Sequence, residues 1–374
     1  MLKIVSSFLV VLWTALLLSS CNEKEEVYQA YKIHGEAQGT TYSIVYYDTT
    51  AQNVQPAIDS LLHAIDLSMS TYIPNSLISE FNQADSCVEI DEMFLDVFFN
   101  SAEIHEATKG AFDPTVKHLV NIWGFGYQDT LKNKTALSDS QLIELRDSLA
   151  FEWLDYVGFD KIVLGGDALY DDIAKVEDPL IYICKPHPQF QLDFNAIAQG
   201  YSVDRICYLL DGFGIKSYLV ELGGELRAKG SKPYLVPWKV GIENPTVDPE
   251  NPFVATMDLG SKALATSGSY RKFYKKNGKR YSHTIDPRTG MPVKHSLLSV
   301  SVVANTCVSA DAYATAFMVM GLEESVNFVE ANFEKYGLEA YFIYENEQGQ
   351  LESYTTYGLK SLIDMDSTMV QEMK

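Results

Sequence analysis

Asp311 and Thr315 stand four residues apart in "SADAYATAFMVMG" (309–321), so on an α-helix they share one face. The run opens with Ser309 in a capping position and Asp311 in the first turn. Ala312, Ala316, Val319 and Met320 read as its buried stripe. A carboxylate and a hydroxyl one turn apart are hard oxygen donors. With a carbonyl from another segment they suit Mg²⁺, which keeps positions open for phosphate and water. Capping and packing use the same pair more often, so the metal reading depends on what the other segments bring.

Four other stretches carry candidate chemistry. In "LDFNAIAQGYSVDRI" (192–206), Asp193 stands where strand becomes turn and helix amides begin. That is a place for phosphate, or for a metal held by Asp and carbonyls, although a plain N-cap is the commoner use. Gly200 inside that helix weakens it and so points to close packing. "GAFDPTVKHLVNIWGFG" (110–126) is irregular; Phe112 and Trp123 could wall a flat ligand or simply dock the loop. "ELGGELRAKG" (221–230) places Gly223-Gly224 between strand-like runs, which by itself indicates only a turn. In "ATSGSYRKFYKKNGKRYSHTIDPRTG" (265–290), Arg271, Lys272, Lys275, Lys276, Lys279 and Arg280 crowd ten residues around an Asn277-Gly278 hairpin turn. Such a hairpin could steer an anionic ligand, or could be a solvated edge with gatekeeping lysines. His283 and Asp286 follow in an Asp-Pro turn, where His283 could act as acid, base or donor to a phosphate.

The elements that must position these residues alternate irregularly. Residues 31–47 read as strands and 54–69 as a helix. Asp91 caps a helix to about Thr108, with Gly110 in its C-terminal turn. Ser138 and Gln141 form a capping-box pattern for a helix over 139–149. Strand-like runs occupy 161–166 and 180–185, and a helix covers 196–211, stopping at Gly212. Further strand, turn and strand segments run from 217 to 268. A strand at 297–304 precedes the Asp311 helix, a second helix covers 322–333, and strands 339–345 and 351–357 close the chain. Hairpins dominate and regular βαβ alternation is lacking. The fold class is therefore α+β, with mainly antiparallel sheets covered by helices.

The whole chain narrows the setting. Lys3, the apolar "FLVVLWTALLL" (8–18) and "LSSC" (18–21) read as a secretory leader, too short and too early for a spanning helix. Leu18-Ser19-Ser20-Cys21 looks like a lipobox, in which Cys21 carries lipid and residues 21–34 form a tether. A formal net charge of −21 over 374 residues argues against nucleic acid as a partner. Cys87, Cys184, Cys207 and Cys307 are widely spaced without a CxxC pair. Zinc is not expected, and buried free thiols are favoured over disulfides. Residues 359–374 read as a frayed tail.

Taken in order, "QGTTYSI" (38–44), "STYIPNSLISEFN" (70–82), "GAFDPTVKHLVNIWGFG", "DFNAIAQGYSVD", "ELGGELRAKG", "ATSGSYRKF", "HTIDPRTG" and "SADAYATAFMVMG" resemble the ApbE flavin transferases across about 35–345. The resemblance implies a T-fold-related α+β domain over 35–358, following a leader (1–20). It also implies Mg²⁺-dependent transfer of the FMN moiety of FAD to a Thr or Ser hydroxyl, with release of AMP. By motif, Asp311, Thr315 and the Ala196 carbonyl are similar to the magnesium ligands. Gln38, Tyr72, Ala111, Phe112, Asp113, Asp193, Gln199 and Ile285 match positions lining the FAD site. His283 and Asp286 would assist the transfer. Gln38 stands where Met is frequent, and Gln199 where Lys or Glu is usual. The implied acceptor is a flavoprotein subunit of a membrane redox pump or an extracellular flavoprotein. The implied location is an exported, membrane-anchored lipoprotein facing the periplasm. FAD hydrolysis to FMN and AMP at the same site, or flavin binding without chemistry, are the alternatives.

Overall fold

"TYSIVYY" (41–47) alternates in type, and the strand it forms has two apolar faces. Tyr42, Ile44 and Tyr46 face one core, while Val45 and Tyr47 face another. This pattern organises the computed structural model, which describes residues 28–125, 139–166, 180–245, 252–269, 273–276, 279–282, 284–365 and 371–372.

In chain order, β1 (Gln29–Ala37) and β2 (Thr40–Asp48) form a hairpin. They are followed by α1 (Gln55–Met69), α2 (Leu77–Gln83), β3 (Cys87–Glu89), α3 (Glu92–Ala107), α4 (Lys117–Trp123) and α5 (Asp139–Trp153). Next come β4 (Val163–Gly166), β5 (Ile181–Cys184), α6 (Ala198–Gly212), β6 (Ser217–Leu222), β7 (Glu225–Lys229), β8 (Lys239–Glu243), β9 (Phe253–Asp258) and β10 (Ala263–Gly268). The basic hairpin is β11 (Phe273–Lys276) and β12 (Lys279–Ser282), and β13 (Ile285–Asp286) and β14 (Met291–Pro292) make a smaller one. The chain continues through β15 (Leu297–Ala304), α7 (Cys307–Met320), α8 (Leu322–Tyr336), β16 (Glu339–Glu345), β17 (Leu351–Thr355), β18 (Ile363–Met365) and β19 (Gln371–Glu372).

Nine strands join in the order β1-β2-β6-β7-β10-β15-β16-β17-β19, antiparallel except for the last pair. The helices α1, α3, α6 and α7 cover one face of this sheet through the larger core. The sheet β18-β9-β8 covers the other face through Trp238, Val240, Ile242, Val254 and Met257. The fold is thus α+β and mainly antiparallel, as the sequence indicates.

The differences are local. Residues 110–126 are not wholly irregular, since 117–123 form α4. Leu359 is buried and β18 pairs with β9, so part of the segment expected as a tail belongs to the second core. Cys87 and Cys184 are not free thiols: they oppose each other across β3 and β5 and form a disulfide. Cys207 and Cys307 are buried and free, as expected. Ser309 does not cap α7, which starts two residues earlier, and Asp311 lies beyond the first turn. The leader, Cys21, Ser138, the Asn277-Gly278 turn and His283 lie outside the described residues.

Candidate active site

The approach of α6 to α7 places Asp311. A Cβ on Gly200 would lie 2.4 Å from the Cys307 carbonyl oxygen and 2.7 Å from Asp311 Cβ. Only glycine allows the two helices to come this close, which is the role its place in the sequence suggests. The Gly200 amide is one of the first of α6, which have no carbonyl partner within the helix. It donates to Asp311 Oδ2 at 3.0 Å. A carboxylate from one helix thus closes on the turn 195–200 of another, the turn that carries the Ala196 carbonyl and Gln199. One turn further along α7, Thr315 Oγ1 lies 3.3 Å from Ser267 Oγ on β10.

The start of α7 is held from a distance. It has no side-chain cap of its own. Asp204, on α6, accepts from the amides of Cys307 (3.0 Å) and Val308 (2.9 Å), and Arg227 Nη1 reaches the same carboxylate at 2.6 Å. A buried, paired carboxylate therefore serves as the N-cap of a neighbouring helix.

Burial pushes the Asp311 carboxyl up to about 7, offset only by the Gly200 amide. Glu225, at the start of β7, is also buried. Its carboxyl is raised well above the usual range by burial and by the charge of Asp311, and its Oε2 has no hydrogen-bond partner. No basic side chain among the described residues offsets either group. The residues present fit a hard divalent cation: buried carboxylate oxygens without a compensating charge, a hydroxyl on the same helix face and a carbonyl at a helix start. No cluster of three or more His, Cys, Asp or Glu exists among the described residues.

Two turns at one end of the sheet close on α6. Gln38 and Gly39, both with positive φ, make the β1–β2 turn. Gln38 Nε2 donates to Ser202 Oγ at 2.7 Å. Gly223 turns the β6–β7 hairpin, where a Cβ would meet Gln199 Nε2 at 2.8 Å and Thr40 Cγ2 at 3.0 Å. Gln38, Gln199, Ala196 and Asp311 are thus gathered around the N-terminal end of α6.

The 110–115 loop joins this group through a 2.8 Å bond from the Asp193 amide to the Pro114 carbonyl. Asp113 is buried and accepts from the Thr115 amide (2.8 Å), the Thr115 hydroxyl (2.5 Å) and the Phe159 amide (3.2 Å). Burial raises its carboxyl, opposed by Thr115 and by His105. Ala111 and Phe112 are buried, and Trp123 Nε1 donates to the Gly290 carbonyl at 2.8 Å. The aromatic side chains of this loop therefore dock it rather than stand exposed as walls. Asp193 itself accepts from the Asn195 amide at 2.9 Å, and its carboxyl is raised by burial against the pull of Lys117.

The remaining candidates are less closely joined. Tyr72 stands 60 % exposed on the turn between α1 and α2. Ile285 is buried with Leu119, Trp123, Ala150 and Val157. Both oxygens of Asp286 are engaged by Arg288, at 2.9 Å and 3.1 Å.

Sequence reasoning missed several residues that hold the site: Glu225, Asp204, Asn82 and Lys185. The Asn82 side chain accepts from the Leu192 amide (2.7 Å) and donates to its carbonyl (2.9 Å), beside Asp193. The buried Lys185 ammonium donates to the carbonyls of Phe81 (2.8 Å), Pro188 (3.1 Å) and Phe190 (3.2 Å). Burial lowers its pKa to about 8. An isolated lysine after an apolar strand gives no local sign of this.

Known proteins are similar to this chain in sequence and in fold. A sequence model described as "ApbE family" matches residues 38–342. The "FAD:protein FMN transferase" of Haemophilus influenzae is 33 % identical over 357 residues, covering 93 % of this chain and 95 % of the relative. That of Vibrio cholerae is 35 % identical over 332 residues, covering 87 % and 91 %. Among solved structures, "Flavin Transferase ApbE from Vibrio cholerae" superposes with a TM-score of 0.73 at 32 % identity, covering 90 % of this chain and all of that one. The ApbE protein of Thermotoga maritima gives a TM-score of 0.71 at 27 % identity, covering 89 % and 99 %.

Proposed function

The chain belongs to the ApbE family, and from that premise we propose that it transfers the FMN moiety of FAD to a Thr or Ser hydroxyl of an acceptor flavoprotein, releasing AMP. The hydroxyl oxygen forms a bond to the phosphorus on the riboflavin side. The bond from that phosphorus to the bridging oxygen breaks, and AMP leaves with that oxygen. The observation that carries this reading is the buried Asp311 carboxylate fixed on the first turn of α6, with Glu225 close enough to feel its charge and no basic side chain offsetting either.

Asp311, Thr315 and the Ala196 carbonyl would hold Mg²⁺, which when bound would neutralise pyrophosphate charge and ease departure of AMP. Gly200 and Asp204 set the position of α7, and hence of Asp311. Gln38, Tyr72, Ala111, Phe112, Asp113, Asp193, Gln199 and Ile285 are assigned to binding FAD, with Asp113 acting by shaping its loop. His283 is assigned the acceptor proton. Asp286, engaged by Arg288, holds the turn that follows His283. Catalysis in this arrangement comes from positioning and charge neutralisation. Export as a lipoprotein anchored at Cys21 and facing the periplasm completes the proposal. The Cys87–Cys184 disulfide supports an oxidising compartment.

The test incubates the full chain with FAD, Mg²⁺ and a candidate acceptor, and follows AMP and acceptor mass. AMP with an FMN increment on the acceptor is expected. Free FMN without an adduct would replace transfer by hydrolysis, and absence of AMP would leave a binding protein.

A further inference from the structure

We propose that the sheet end opposite the candidate site docks on the membrane surface, through an apolar loop tip at Tyr234-Leu235 flanked by lysines. The inference uses the lipid anchor proposed above but adds an orientation that the anchor alone does not give.

Strand register defines the two ends. Gln29 pairs with Asp48, Tyr47 with Ser217, and Tyr218 with Lys229, so the start of β1 and the exit of β7 share one edge. The loop from Gly230 to Trp238 leaves from that edge. Farther along the sheet, Tyr341 pairs with Thr355, which places the Thr356–Lys360 turn at the same edge. At the other end lie the Gln38-Gly39 and Gly223-Gly224 turns, next to the candidate site.

The first end is unusually apolar. Tyr234 is 98 % exposed, Leu235 87 % and Tyr357 90 %, and Tyr28, Phe213, Val236 and Leu362 are exposed beside them. Tyr234 and Leu235 also hold positive φ values, 64° and 60°, which side-chain-bearing residues seldom adopt. Aromatic and aliphatic side chains pushed outward on a turn suit the interfacial layer of a bilayer, where amphipathic rings sit at headgroup level.

Charge and chain position select a bilayer over a protein partner. Lys216, Lys232, Lys239 and Lys360 border the tip on a molecule of formal net charge −21, while Lys229 is paired with Asp211. Three acids of this end are held internally: Asp48 by Thr50 and Gln52, Asp211 by Lys229 and Tyr218, Glu339 by Thr356; a fourth, Asp258, stands opposite Lys239 in the β8–β9 pair. Lysines near an anionic leaflet contribute about 1 kcal/mol each. The described chain begins at Tyr28, on this edge, and the 27 residues before it contain the apolar run 8–18 and Cys21. A lipid at Cys21 would therefore bring this end to the bilayer. β1 and β2, which run from one end to the other, are nine residues long each, so the candidate site would stand about 25 Å above the surface, facing away.

The experiment replaces Tyr234 by p-azidophenylalanine in the full lipidated chain, reconstituted in vesicles of phosphatidylethanolamine and phosphatidylglycerol. Tyr72, exposed on the turn between α1 and α2, is replaced likewise as the control. Illumination followed by mass spectrometry should give lipid adducts at 234 several-fold above those at 72, and Lys232→Glu should lower the yield at 234. FAD turnover should be unchanged by Tyr234→Ser with Leu235→Ser. A chain that sediments with vesicles but gives equal adducts at both positions overturns the docking and leaves the anchor standing. Adducts at 234 only to protein, when acceptor is present, overturn it in favour of a protein surface. A chain that stays soluble overturns both.

Discussion

At the scale of single residues the decisive pair is Asp311 and Glu225. Folding holds the Asp311 carboxyl at about 7 against an ordinary 3.8, so the metal-free fold binds this proton more tightly than the unfolded chain. Its contribution is complete below pH 3.8 and is lost as pH rises through about 7, amounting to up to about 4 kcal/mol. Calorimetry should show metal-free stability falling between pH 4 and pH 7 or so. Mg²⁺ should raise the melting temperature more at pH 8 than at pH 5.5, because protons compete for the same oxygens. Asp311→Asn should lose the Mg²⁺ shift and reduce the pH dependence to the share of Glu225; an undiminished Mg²⁺ shift in that variant would remove the ligand assignment. Glu225→Gln separates metal binding from folding. The neutral side chain should weaken Mg²⁺ affinity by about tenfold or more in titration calorimetry. It should also stabilise the metal-free protein at pH 8, because one buried like charge is gone. A variant that binds Mg²⁺ as tightly as the parent would assign Glu225 to packing alone. The Asp311–Thr315 spacing was legible because both lie on one helix. Glu225 was not, since a glutamate after a Gly-Gly turn reads as surface until the sheet and α7 bury it.

Among the elements, the contact of α6 with α7 does most of the positioning. Gly200→Ala would be worth about 1 kcal/mol in an open helix. Here the new Cβ meets the Cys307 carbonyl at 2.4 Å, and a backbone oxygen inside a packed helix pair cannot yield easily. The expected net result is a loss of about 1–3 kcal/mol in urea unfolding, together with weaker Mg²⁺ binding as Asp311 is pushed back. Stability at or above that of the parent would show that the helices are free to part. The helix itself was legible from its apolar stripe, and Gly200 from its cost in that setting. The cap was not. Ser309 is the local choice for a start, yet Asp204, 103 residues before Cys307, supplies the acceptor. Non-local capping leaves no trace in spacing, because a carboxylate within one amphipathic helix looks like ordinary surface. The short helix α4 escaped for a related reason: the Asp-Pro turn and flanking glycines that bound it also signal a loop.

Over the whole molecule, the strand pairs fix the order of the layers, and one covalent link ties the small sheet β3-β5-β4 together. Hydrophobic alternation was enough to indicate an antiparallel α+β body, since the edge strand β1 alternates while β2, β15 and β16 carry apolar side chains on both faces. The cysteine pairing was not readable, because it depends on the register of two strands far apart in sequence. Cys87 lies directly opposite Cys184, with 97 residues between them along the chain. A cross-link of that span restricts the unfolded chain and is worth about 5 kcal/mol in the loop-entropy account. Spread over an unfolding entropy proportional to chain length, this corresponds to a drop of about 6 °C in melting temperature on reduction. The candidate site lies outside the small sheet, and Asn82 and Lys185 tie α2 to the segment before Asp193 without using the sulfurs. Reduced protein should therefore transfer FMN at an unchanged rate at 25 °C while melting earlier. The Cys87→Ser, Cys184→Ser double variant should melt at the reduced temperature whether or not reductant is present. If reduction instead abolishes turnover at 25 °C and leaves melting unaltered, the link acts on the site rather than on the unfolded chain, and the strut from Asn82 to Leu192 must depend on it.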